Sequence, residues 1–190
     1  AFYPLLYWPM DPRAKSLSPR ALSKVSDYMR QGGTILFDTR DLTLGATRGA
    51  TSPGEQTLRR LTASLDMPRL EPVRNDHVLT KAFYILRDFP GRWSGGQVWV
   101  EALPPPPRNG AAPAQGGDGV SPVIIGGNDW AAAWAVDAGG RFTNTPSPGG
   151  EIQREMAFRF GINAVMYALT GNYKTDQVHA PALLQRMGRP

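Results

Sequence analysis

Only two histidines, His77 and His179, and no cysteine stand among the 190 residues, and that scarcity decides most of the chemistry open to this chain. Without a thiol there are no disulfides, thiolate metal sites or cysteine nucleophiles. A serine nucleophile would need an elbow of the GxSxG type, which is absent. Oxygen ligands for a metal exist in Asp38, Asp41, Asp76, Asp118, Asp129 and Asp137. There is, however, no HxxxH pair, no EF-hand spacing and no ligand cluster at helical intervals, so no metal is expected. Glycine pairs recur at 32–33, 95–96, 116–117, 126–127, 139–140 and 149–150. They form neither GxGxxG nor GxxxxGK[ST], so they read as turns and no phosphate-bearing cofactor is expected. Any histidine mechanism rests on His77. Its segment Asn75-Asp76-His77-Val78-Leu79-Thr80 reads as a turn cap with His77 bonded to nearby backbone, and a general base is the rival reading.

The carboxylates gain meaning from the elements that must hold them. Thr34-Ile35-Leu36-Phe37 is an apolar, β-branched run that finishes in Asp38, followed by polar Thr39, Arg40 and Asp41. Upstream, residues 2–8 have the length and composition of a buried strand ended by Pro9 and Pro12. Ser18-Pro19 is a helix start, Leu22, Val25, Tyr28 and Met29 recur at helical spacing, and Gly32-Gly33 ends the helix. Strand, helix and strand make a βαβ unit in a sheet covered on both faces. Sites in such sheets form at the carboxyl ends of the strands, where Asp38, Thr39, Arg40 and Asp41 fall.

Ser52-Pro53 repeats the helix start, and Leu58, Leu61 and Leu65 carry its buried stripe to about Asp66. Gln97–Val100 and Pro122–Ile125 read as further strands. Residues 104–121, with four consecutive prolines and a Gly/Ala/Asn/Gln run, read as a projecting loop. After the last strand come Asn128 and Asp129, placed with the strand-end residues, and the indoles of Trp130 and Trp134, read as core or as a protein contact. A helix is expected from about Gly150 to Leu169, with Ile152, Met156, Ile162, Val165, Met166 and Leu169 on its apolar side and Gly171 as its cap. This gives one α/β domain over residues 1–171 and a tail over 172–190, with a short helical piece at Ala182–Met187.

The net charge is +5, but the cations are scattered and the tightest cluster is Arg59-Arg60, so no nucleic-acid partner is expected. No run of 18 apolar residues exists to span a membrane. The chain starts without Met inside an apolar stretch, which reads as a piece of a longer protein.

Five blocks, YPLLYWP from Tyr3, YMRQGGTILFDTRD from Tyr28, NDHVLTKAFY from Asn75, GVSPVIIGGNDWAAAWA from Gly119 and FRFGINAVMYALTG from Phe158, together resemble the bacterial DUF4159 family. The resemblance implies the C-terminal part of a large inner-membrane protein with a BatA-like N-terminus, and partners within a membrane-associated complex. It also implies a flavodoxin-like, class I glutamine amidotransferase-like three-layer sandwich with a mostly parallel sheet. On that likeness the family's first strand and helix lie upstream of Ala1. Where true amidotransferases carry the nucleophilic cysteine, this chain has Asp38 or Thr39, so glutamine hydrolysis by that route is not expected. The leading expectation is a non-catalytic binding module whose ligand residues are Asp38, Thr39, Arg40, Asp41, His77, Asn128 and Asp129, with Trp130 and Trp134 for protein contact. A hydrolase using Asp38 or Asp41 with His77 and a purely structural assembly domain are the alternatives.

Overall fold

The computed structural model describes residues 3–41, 51–102 and 120–170. In chain order the elements are β1 (Leu5–Pro9), α1 (Pro19–Arg30), β2 (Thr34–Asp38), α2 (Pro53–Thr62), β3 (Leu70–Pro72), a 3₁₀ turn (Val78–Thr80), β4 (Trp99–Glu101), β5 (Val123–Gly126), α3 (Trp130–Trp134) and α4 (Gly150–Thr170). The helix starts follow from local chemistry. The Ser18 hydroxyl accepts the Ala21 N–H at 3.2 Å and Ser52 that of Glu55 at 3.2 Å, each with proline in the first turn. Helix α1 ends at Arg30, and Gly32 just beyond it turns the chain with a φ of 85° that suits glycine. Beside it, a Cβ on Gly33 would lie 2.3 Å from the Tyr28 ring, so the exit to β2 passes directly against that ring.

One five-stranded sheet runs in the order β1-β2-β5-β4-β3. It is parallel across β1, β2 and β5 and antiparallel across β5, β4 and β3. Successive side chains of β2 and β5 serve opposite cores, as the period of two demands. Ile35, Phe37, Val123 and Ile125 pack with Leu58 and Leu61 of α2 and, at the margin, Val25, Tyr28 and Met29 of α1. Leu36 and Ile124 pack on the other face with Leu79, Trp130 and Phe160, Ala164 and Tyr167 of α4.

Several expectations need correction. Strand β3, for which the sequence carried no expectation, has three residues and contains Pro72, too short and too atypical for pattern reading. Helix α2 stops at Thr62 rather than Asp66, and Leu65 is buried in the turn that follows. The largest change concerns α4. Much of its expected apolar side is turned to solvent, with Ile152 81% and Leu169 59% exposed and Ile162 and Val165 also open, while Met156 does pack against the core and Met166 is half-buried. The buried side instead holds Gln153, Arg154 and Asn163 beside Ala157, Phe160, Ala164 and Tyr167. These polar groups are tolerated because each is bonded. Asn163 alone accepts from Phe83 N and Tyr84 N and donates to Leu79 O and Tyr84 O. Of the expected 104–121 loop, Val120 and Ser121 are described, and Ser121 is buried at the entry to β5; the rest of that loop, Gly171 and the tail lie outside the described residues. No helix among the described residues is long and apolar enough to cross a membrane.

Candidate functional site

Asp38 closes β2 and pairs with Gly126, which closes the neighbouring parallel strand β5. The chain leaving β2 goes to α2 on one face of the sheet, and the chain leaving β5 goes to α3 on the other. A crevice forms where two such connections part, and there α/β sheets take their ligands. Sequence position therefore puts Thr39, Arg40 and Asp41 on one lip and Gly127, Asn128 and Asp129 on the other.

The Asp38 side chain does not open into that crevice. It is 0% exposed, and its carboxylate is enclosed by donors. Oδ1 accepts from the backbone of Arg40 at 3.0 Å and Asp129 at 3.2 Å. Oδ2 accepts from the backbone of Trp130 at 2.8 Å and the Tyr7 hydroxyl at 2.6 Å. Tyr7 in turn accepts the Ala131 N–H at 3.3 Å. One carboxylate thus joins the ends of β1, β2 and β5. Burial pushes the Asp38 carboxyl up to about 6, against the pull of its four donors. Burial, with the adjoining Asp38, raises the Tyr7 phenol as well. Arg40 (φ 58°) and Asp129 (φ 53°) are the two non-glycine residues with left-handed backbone among the described residues. Both are held by the same oxygen of Asp38.

Asp41 is also committed. It accepts from the Thr39 hydroxyl at 2.6 Å, from the Ser52 hydroxyl and from Glu55 N at 3.2 Å, so it helps to cap α2. Gly54 lets the helix start this close, since a Cβ there would lie 2.1 Å from the Thr39 carbonyl. Beside this cap a cleft of about 800 Å3 opens between α2 and the strands, lined by Thr39, Asp41, Leu58, Gln97, Trp99 and Gly126 among others. Its size and largely apolar wall fall in the range of small-molecule sites. Trp99, 39% exposed on β4, is its largest open side chain.

On the rim itself, the Arg92 guanidinium lies 3.9 Å from the Asp129 carboxylate and 4.8 Å from the Trp93 ring centre. Burial raises Asp129, with Arg40 and Arg92 pulling the other way. Asn128 is buried and donates to the Phe89 carbonyl at 2.8 Å, while its Oδ1 has no partner. Sequence reading missed Tyr7, Arg92 and Trp99. Tyr7 carried a usable signal, a polar tip on the strand that a βαβ unit sets beside Asp38. Arg92 carried none.

His77 does not join this group. Its Nδ1 accepts the Leu79 N–H at 3.1 Å, capping the 3₁₀ turn, and burial lowers its basicity. Its ring lies 5.5 Å from that of Tyr167, whose hydroxyl accepts the Ser121 N–H where the chain enters β5. His77 thus neighbours the residues that lead into β5, whereas Asp38 pairs with its last residue, Gly126. A base must come within hydrogen-bond reach of its partner, and the hydrogen bonds of Asp38 and of His77 among the described residues do not join the two. Trp130 is corrected as a contact residue. It is fully buried, stacked 4.6 Å from Phe160 and bonded to the Phe89 carbonyl. Trp134 packs inward too, 6.0 Å from Tyr7 and against Gly161. Among the described residues no three histidine or carboxylate side chains converge as a metal site.

Comparison with known proteins gives one family match. The model described as "Domain of unknown function (DUF4159)" covers residues 1–169. No curated protein matches the chain.

Proposed function

We propose, from the premise that this chain belongs to the DUF4159 family, that it is a non-catalytic module of a larger membrane-anchored bacterial protein, binding a ligand or partner at the carboxyl rim of its sheet. One observation carries the reading: the strand-end carboxylate is sealed. A nucleophile or base needs a free lone pair and an approach route, and Asp38 has four donors around it and no exposure. The buried residue then acts by position, fixing the backbone of Arg40 and Asp129 at the strand ends, next to Thr39 of the cleft. Helices on both faces and the parallel β1-β2-β5 core support a flavodoxin-like, amidotransferase-like ancestry in which Asp38 replaces the thiol.

The test places a photo-reactive residue at Gln97, on the cleft, or at Lys81, beside the His77 turn, in the full-length protein in its own membranes. Cross-linking of a ligand or partner from Gln97 and not from Lys81 is the expected result. Equal capture from both positions, or turnover of glutamine, an amide or an ester by the purified domain, overturns the reading.

A further inference from the structure

We infer that Arg40 is a ligand-contacting residue and that the group it contacts is an oxyanion, a carboxylate or phosphate shared with Arg92. The inference rests on the rim being the binding surface and adds the chemistry of what binds there. Its starting point is a backbone cost with no internal return. A non-glycine residue held at positive φ is strained. Arg40 bears that cost at φ 58°, at a position glycine would fill freely. Only its N–H is used by the fold, in the bond to Asp38. Its side chain is exposed and makes no hydrogen bond or ion pair among the described residues.

Arg92 supplies the second cation. Its 3.9 Å approach to Asp129 is too long for a hydrogen bond, and its buried Nε has no partner. Its guanidinium lies over the Trp93 ring, 4.8 Å from the ring centre, a favourable cation–π contact. Planar forks of this kind match carboxylate and phosphate oxygens in paired bonds. Of the nearby anions, Asp38 is spent on its own donors and Asp11 is paired with Arg13 at 3.2 Å. Asp129 lies 3.9 Å from Arg92, and its backbone N–H shares Asp38 Oδ1 with that of Arg40, so both arginines stand beside the same carboxylate.

The experiment titrates the labelled protein with acetate, inorganic phosphate and a short glutamate-rich peptide in separate series, following backbone amide shifts. Saturable shifts confined to Arg40, Arg92 and Asp129 are expected with at least one of them, weakened about tenfold or more in Arg40→Gly and in Arg92→Lys. Arg40→Gly should meanwhile unfold no earlier than the parent. Unchanged binding in Arg40→Gly, a loss of stability in that variant, or shifts that never saturate would each overturn the inference. If no oxyanion binds while Gln97 still cross-links selectively, the ligand class is wrong and the rim reading stands; if both fail, the rim reading falls too.

Discussion

Asp38 and Trp130 are separated by 92 residues, yet the carboxylate of the first accepts the backbone N–H of the second at 2.8 Å. That bond ties the exit of β2 to the start of α3. The same carboxylate holds Tyr7, Arg40 and Asp129, so one side chain fixes the shape of the whole rim.

Removing it should be costly. Asp38→Ala leaves three backbone donors and the Tyr7 hydroxyl with no acceptor in a dry site, for an expected loss of about 3 kcal/mol or more. Asp38→Asn should also destabilise, because its NH2 would face N–H groups. Urea unfolding of both variants checks this. Asp38→Cys should gain no glutaminase activity, since the position stays enclosed.

The pH dependence has a defined sign. Asp38 is raised from 3.8 to about 6 in the folded protein, so its contribution is complete below about pH 4 and is lost as pH rises through 6. The span amounts to about 3 kcal/mol. His77, lowered from 6.5 by burial, acts oppositely: its contribution is present above pH 6.5 and is lost on acidification. Relative to Asp38→Asn, the parent should therefore lose stability between pH 4 and 7. Relative to His77→Asn, it should gain. Parallel denaturation curves at stepped pH separate the two.

Gly54→Ala should damage the cleft from a distance. Its new methyl would meet the Thr39 carbonyl and the Asp41 carboxylate at 2.1 and 2.6 Å, displacing α2 from β2. An overpacking cost of roughly 1–3 kcal/mol is expected, together with weakened protection of the Glu55 amide in hydrogen exchange.

On α4, Ile162→Lys should change stability by less than about 1 kcal/mol, since Ile162 already faces solvent. Ala164→Leu, at 1% exposure against Tyr167 and Phe160, should cost about 1–3 kcal/mol. Thermal unfolding of the pair tells which side of the helix is buried.

These contrasts show what the residues disclosed and what they concealed. Strand β2 was legible to the residue, because a β-branched apolar run between Gly33 and a carboxylate has few other homes. The starts at Ser18 and Ser52 were equally plain, for a cap is a local interaction. The face of α4 was not legible. Apolar count favoured Ile152, Ile162 and Leu169, but carbonyls of Gly91, of Ala133 in α3 and of Leu79 in the 3₁₀ turn satisfy Gln153, Arg154 and Asn163, and only the folded chain reveals those acceptors. Asp38, Thr39, Arg40, Asp41, Asn128 and Asp129 do gather at one rim. That Asp38 bonds inward depends on donors from residues 7, 129 and 130, which no local pattern announces.

The adjacency of β2 and β5 also bears on how the chain finds its shape. Tyr7 and Asp38 are 31 residues apart, whereas Thr39 and the Gly126 carbonyl it bonds are separated by 87. Closing the longer loop carries the larger entropic penalty, and non-local pairings slow folding. The parallel β1-α1-β2 unit therefore closes over the shorter loop, while the crevice exists only once β5 has slotted in beside it. Without β5 there is no second strand end beside Asp38, and the rim is absent.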